Sequence, residues 1–243
     1  YYISLVIWME NLHFKNKREL NSFIKKLQYI DRGAEGICYR LSRKTVFKYL
    51  CGEIYYPIVD ENQLLQFKNI DIANYIFAKN VVFLKEQIIG VLMKYVNGNL
   101  VDKGLYNVKI FNLIKAFEDL EISTRKLSNY GISVFDVFSA NMFYNNSRFF
   151  LIDTMWYEKV DLDPDKLFKE NMVSIFSNIC DNIFPLELYD FIQTLPQIRE
   201  FKKDDDLLSK PSYVIKTFYD DVCKYLDSEP KTMSEIKKKI FEI

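Results

Sequence analysis

Histidine is almost missing from this chain: His13 is the single one among 243 residues. One histidine rules out most His-based triads, His metal sites and His general-base chemistry, so acid–base work is expected from carboxylates, Lys or Tyr. Cysteine is also sparse. Cys38, Cys51, Cys180 and Cys223 are scattered with no CxxC pair, which argues against a zinc site and fits reduced thiols in a cytoplasmic protein. There is no excess charge, since 33 Lys and Arg face 33 Asp and Glu. A nucleic-acid binder that relies on a broad basic field is therefore not expected. The opening YYISLVIWM is apolar but falls short of the ~20 residues that cross a bilayer. It also lacks the basic start and small-residue cleavage site of a signal peptide. Met9 offers an internal start, or else the stretch is a strand or helix cap on the domain that follows. No membrane span is expected.

Aromatic residues are plentiful at 16%, and nearly half of the chain is hydrophobic, so it is a folded globule with enough length for two modest cores. Asn16 to Tyr29 carries Leu20, Phe23, Ile24 and Leu27 on one helical face. Two apolar stretches, Asn80–Leu84 and Gln87–Tyr95, flank the polar Lys85-Glu86 turn and read as a hairpin, with a break at Asn97-Gly98. Val108 to Leu127 is a long amphipathic helix with Ile110, Leu113, Ile114, Phe117, Leu120 and Leu127 as its buried stripe. Helical runs follow at residues 165–182, 186–195, 211–226 and 232–243. The short charged runs, Lys202 to Asp206 and Lys237 to Lys239, read as solvated surface.

The chemistry concentrates in Gly131 to Tyr157, GISVFDVFSANMFYNNSRFFLIDTMWY. Asp136 is followed five residues later by Asn141, and a short hairpin then leads to Leu151-Ile152-Asp153. Upstream, IDRGAEGICYRLSRKTVFKYL (residues 30–50) sets Gly33 and Gly36 before a strand that contains Lys48. Glycines there let backbone N–H groups approach an anion without an intervening Cβ. After Pro57, Glu61 stands at helical spacing from Leu64 and Leu65.

Taken in order, these parts resemble the protein kinase-like superfamily, over about residues 28 to 155. The resemblance implies an α+β, two-lobed kinase-like fold: a small antiparallel β-sheet lobe with one αC-like helix, and a mainly helical large lobe. Residues 1–27 would form an N-terminal extension with a helix, 28–96 the small lobe and 97–243 the large lobe. It also implies ATP and Mg2+ as cofactors. Gly33, Gly36, Cys38, Val46 and Lys48 would meet the nucleotide. Met93 would back the adenine pocket, with Lys94, Tyr95 and Val96 offering backbone groups and Phe143 beneath the base. Glu61 would hold Lys48, with Glu53 as the alternative. Asp136 would receive or position the hydroxyl proton, and Asn141 and Asp153 would hold magnesium.

The chain departs from that pattern in several places. Asp31 replaces the first loop glycine, Val134-Phe135 replace His-Arg, and Phe138 replaces the lysine usually two after the catalytic Asp. Val46 and Phe143 add bulk at the adenine slot. Only about a dozen residues separate Asp153 from the helix near Asp165, too few for a peptide-binding activation segment. The implied activity is transfer of the ATP γ-phosphate to a protein or small-molecule hydroxyl. A pseudokinase acting as a binding or regulatory module is the alternative. A third reading, transfer of AMP from a flipped nucleotide, has no specific support in the sequence.

Overall fold

The computed structural model describes residues 10–51, 60–135 and 137–241. The described chain divides into two compact units. The first holds the residues up to Asp71, then Tyr75–Val96 and Asp153–Met155; the second holds Ile72–Asn74, Asn97–Ile152 and the residues from Trp156 onward. Among the described residues, no helix is long and apolar enough to cross a membrane. The structure is mixed α and β.

In the first unit, alternating strands build a six-stranded sheet: β1 (Leu12–Phe14), β2 (Gln28–Arg32), β3 (Gly36–Arg40), β4 (Thr45–Leu50), β5 (Ala78–Leu84) and β6 (Gln87–Lys94), in the spatial order β1-β5-β6-β4-β3-β2. Every pairing is antiparallel except that of β1 with β5, which runs parallel with Leu12 opposite Val82. The stretch expected as an extension thus supplies an edge strand.

Period-2 alternation gives the sheet two distinct faces. On one, Phe47 and Leu92 pair across β4 and β6 and join Phe14, Leu20, Val82 and Ile89 in a buried cluster. The helix α1 (Lys17–Ile24) covers this cluster with Leu20, Phe23 and Ile24. Its first turn is capped by Asn16, whose side chain accepts the Glu19 N–H at 3.0 Å. α1 ends at Ile24, before the expected Tyr29, because β2 takes the chain from Gln28. The opposite face carries Gly36, Cys38, Val46, Lys48, Val91 and Met93, set side by side by the register Cys38↔Lys48↔Val91 and Val46↔Met93.

The two glycines of the β2–β3 turn differ in what they do. A Cβ on Gly36 would meet the Tyr49 carbonyl oxygen at 2.1 Å, whereas one on Gly33 would meet nothing within 4 Å. Strand pairing therefore requires Gly36 and leaves Gly33 free of packing demands. Gly36→Ala is expected to cost 2 kcal/mol or more, roughly the scale of a core clash. Gly33→Ala should change stability by less than about 0.5 kcal/mol. Urea unfolding of both variants checks this, and equal costs would contradict it.

The second unit is organised on α3 (Ile110–Asn129), which buries Ile110, Leu113, Phe117, Leu120 and Leu127, as the apolar stripe predicts; Ile114 is half-buried. Phe117 packs at 4.7 Å against Phe149 with the rings tilted, and meets Phe176 edge-on at 5.5 Å. These rings belong to β10 (Arg148–Leu151) and α4 (Pro164–Ile183). β7 (Asn99–Leu100), β9 (Met142–Asn145) and β10 form a three-stranded sheet, and β8 (Ile132–Ser133) pairs with β11 (Glu158–Lys159). Asn146 and Ser147, with φ of 47° and 63°, make the tight β9–β10 turn. α4 starts on Pro164 behind the Asp163 cap, which accepts the N–H groups of Asp165 and Lys166. Short helices α5 (Leu188–Ile192) and α6 (Asp205–Leu208) precede α7 (Pro211–Leu226) and α8 (Met233–Phe241).

Candidate functional site

β4 presents Lys48 on the sheet face opposite the aromatic cluster, where it is only 7% exposed. A buried ammonium is costly unless paired. Lys48 Nζ donates to Asp153 Oδ1 at 2.5 Å and also to the Glu35 carboxylate. Both carboxylates are themselves largely covered. Asp153 is one of the few non-glycine residues with a left-handed backbone, at φ 60°. Thr154, just after it, donates its hydroxyl to the Ile76 carbonyl at 2.9 Å and so fastens this turn beside β5. Such a conformation carries a modest energetic cost, and it clusters where a side chain must be aimed.

One ammonium between two carboxylates leaves an excess of negative charge. Burial opposes the Lys48 charge, but Asp153 and Glu35 outweigh it and its pKa is raised. Asp153 also titrates above the ordinary carboxylate range: burial raises it, Lys48 opposes, and Glu35 pushes it up again. The two directions agree with a cluster short of positive charge. Cys38, directly across from Lys48, is pushed up to about 11 mainly by burial, so at neutral pH it is a thiol and reacts only slowly as a nucleophile.

Of the residues singled out in the sequence, the first unit brings Gly36, Cys38, Val46, Lys48 and Met93 to one sheet face, with Asp153 on Lys48. Val46 and Met93 are buried against each other in register. Gly33 closes the β2–β3 turn through its N–H to the Gly36 carbonyl at 2.9 Å. After Met93, Lys94 is exposed and Tyr95 and Val96 are half-buried. The Tyr95 N–H is already taken by the Lys44 carbonyl at 2.9 Å, and its ring lies 4.2 Å under the Arg40 guanidinium. A ligand base would have to use other backbone groups of that stretch.

The lysine's second carboxylate is not the expected one. Glu61 begins the five-residue helix α2 (Glu61–Leu65) and accepts from Asn11 Nδ2 at 3.0 Å, while Asn11 Oδ1 accepts the Val81 N–H at 3.1 Å. That clamp commits Glu61 to the β1–β5 edge. Among the described residues, Lys48 is paired with Glu35 and Asp153, and not with Glu61. Glu35 is not among the residues the motifs single out, although hairpin arithmetic offers a signal. It precedes Gly36, which faces Leu50 two residues after Lys48.

Asn141 and Phe143 belong to the second unit. Asn141 ends a 3-10 turn and its carbonyl accepts the Ile152 N–H at 2.9 Å; Phe143 is half-buried and lies between Leu100 and Phe150 in the sheet. Phe135 and Phe138 are exposed at 63% and 55%, unusual for rings of that size. Asp136 and Glu53 lie outside the described residues, as do residues 1–9.

Magnesium prefers oxygen donors and is often held by one or two carboxylates, with phosphate and water completing its shell. Asp153 is a donor of that kind. Among the described residues no group of three His, Cys, Asp or Glu is gathered to hold a metal. The donor set thus fits a magnesium ion completed by phosphates, and not an all-protein cage. No family model matches the chain, and no curated protein matches it at a significant level.

Proposed function

We propose that the chain is a kinase-like phosphotransferase, with a two-lobed kinase-like fold, that moves the ATP γ-phosphate to a hydroxyl on a protein or small molecule. The observation that carries this reading is the buried Lys48–Asp153 pair, two residues 105 apart in sequence that meet on the sheet face lined by Val46 and Met93. A core needs no such pair, because well-packed apolar residues stabilise at least as well. In this reading Lys48 holds the non-transferred phosphates, Asp153 and Asn141 hold magnesium, and Asp136 positions the attacking hydroxyl. Magnesium, when bound, neutralises the charge that develops between the β- and γ-phosphates. ATP dependence makes the cytoplasm the expected compartment.

A second reading, a pseudokinase that works by binding a partner, is favoured by one observation. Phe138 is exposed where kinases generally carry a lysine.

Thermal unfolding with ATP, with and without Mg2+, tests the first reading. A ligand at about a hundred times its Kd adds roughly 2.7 kcal/mol. For a chain of this size that is a shift of roughly 5–10 °C. The shift should require Mg2+ and should disappear in Asp153→Asn. No shift at millimolar ATP under either condition would remove nucleotide binding, and the phosphotransferase with it.

A further inference from the structure

Glu35 stands at the tip of the turn between β2 and β3, and both its backbone and its side chain are fastened. Its carbonyl accepts the Cys51 N–H at 3.3 Å, and the turn is closed by the Gly33 N–H on the Gly36 carbonyl. The side chain, 14% exposed, runs to Lys48 Nζ beside Asp153. An ammonium has three donors, and here two are engaged by carboxylates. A phosphate reaching Lys48 from the turn side would meet a carboxylate of its own sign already in place. Like charges at such range in a partly buried site repel strongly. The glycine-flanked turn, expected to offer N–H groups to phosphates, instead delivers an anion to the lysine.

Resting on the nucleotide-binding reading above, we propose that Glu35 is a built-in phosphate mimic. In the nucleotide-free protein its carboxylate occupies the phosphate position on Lys48, and nucleotide binds only when the turn lifts Glu35 away. The turn is then a competitor tethered to its own site, and the apparent affinity for nucleotide is reduced by the fraction of time that the turn is open. The device has an economical construction. At Gly36 the backbone runs so close to the Tyr49 carbonyl that no Cβ would fit, whereas a Cβ on Gly33 would meet only open space, so the turn has room to hinge on its Gly33 side once the Gly33 N–H releases the Gly36 carbonyl. The competition is confined to the phosphate end, because Val46 and Met93 lie further along the same face in register with each other. Lys48 keeps Asp153 as a partner once Glu35 leaves, so opening exposes no unpaired ammonium.

The test measures equilibrium binding of Mg2+-ATP and of adenosine to wild type, Glu35→Ala and Glu35→Gln. Both variants should bind Mg2+-ATP on the order of tenfold more tightly, if the closed turn dominates. Adenosine, which has no phosphates, should bind all three equally. Without nucleotide, alkylation of Cys38, followed by peptide mapping, should be several-fold faster in Glu35→Ala, since the thiol lies directly across from Lys48. Unchanged or weaker Mg2+-ATP binding in the variants, with wild type still binding, would overturn the mimic and leave the nucleotide reading standing. Equal tightening towards adenosine would also overturn it, because the effect would not lie at the phosphates. Unchanged Cys38 alkylation would show that Glu35 does not hold the turn. If neither wild type nor variant bound ATP at millimolar concentration, the nucleotide reading would fail and the mimic with it.

Discussion

Lys48→Met is expected to destabilise the protein by about 3 kcal/mol at neutral pH, the usual scale for removing one partner from a buried ion pair. The substitution nearly conserves side-chain volume, so the loss is electrostatic and not a cavity effect. Asp153 and Glu35 would be left facing each other with the compensating charge gone. The pH dependence identifies the cause. Asp153 already titrates high because of burial and Glu35, and Lys48 opposes both. Without Lys48 the folded-state pKa of Asp153 rises further. A carboxyl raised in the folded state favours folding fully below its unfolded pKa, and that contribution is lost as pH climbs through the folded value. The deficit of Lys48→Met should therefore be large at pH 8 and shrink steadily towards the ordinary carboxylate range. Urea unfolding of wild type and variant at several pH values reads this directly. A deficit that does not change with pH would mean that the Lys48 stem, through packing, matters more than its charge.

What the sequence discloses and what it hides follow from the range of the interactions. The β5–β6 hairpin and the stripe of α3 are legible because a period of two, or of 3.6, is written within one segment. The start of α7 is legible too, since Pro211 fixes the first turn on its own. β1 is not. Three residues show no period, and its only justification is a parallel partner some 70 positions later. Glu35 takes the place expected of Glu61 for a similar reason. Both are acidic residues near Lys48 in sequence, and the decision between them belongs to Asn11, which ties Glu61 to Val81. No local pattern reports that clamp. The kinase resemblance places Lys48 and Asp153 at one nucleotide site, but their direct contact is not expected from the sequence, because nothing in the spacing of residues 105 apart requires it. Asn141 and Asp136 remain proposals that turnover in their variants must judge.

A residue with no sequence signal at all carries the second large effect. Asn171 lies within α4, is 2% exposed, and holds the strand and loop that lead to residue 136. Its Nδ2 donates to the Ile132 carbonyl at 2.9 Å and to Ser128 Oγ at 3.2 Å, and its Oδ1 accepts the Val134 N–H at 2.8 Å. Replacing Asn171 with Leu would fill the volume but strand a buried N–H and a buried carbonyl, each worth about 1–3 kcal/mol when left unpaired. The expected cost is about 4 kcal/mol, a drop of roughly 8–16 °C in midpoint for a chain of this size. Amide exchange at Val134 should accelerate more than the global loss of stability explains, because the bond that protects it is gone. Asn171→Asp keeps the acceptor for Val134 and loses the donor to Ile132, so it should spare Val134 while still destabilising. A loss below about 1 kcal/mol in Asn171→Leu would mean that water replaces the side chain. In that case Asn171 fills space in α4, and β8 and its loop are held by the β11 pairing alone.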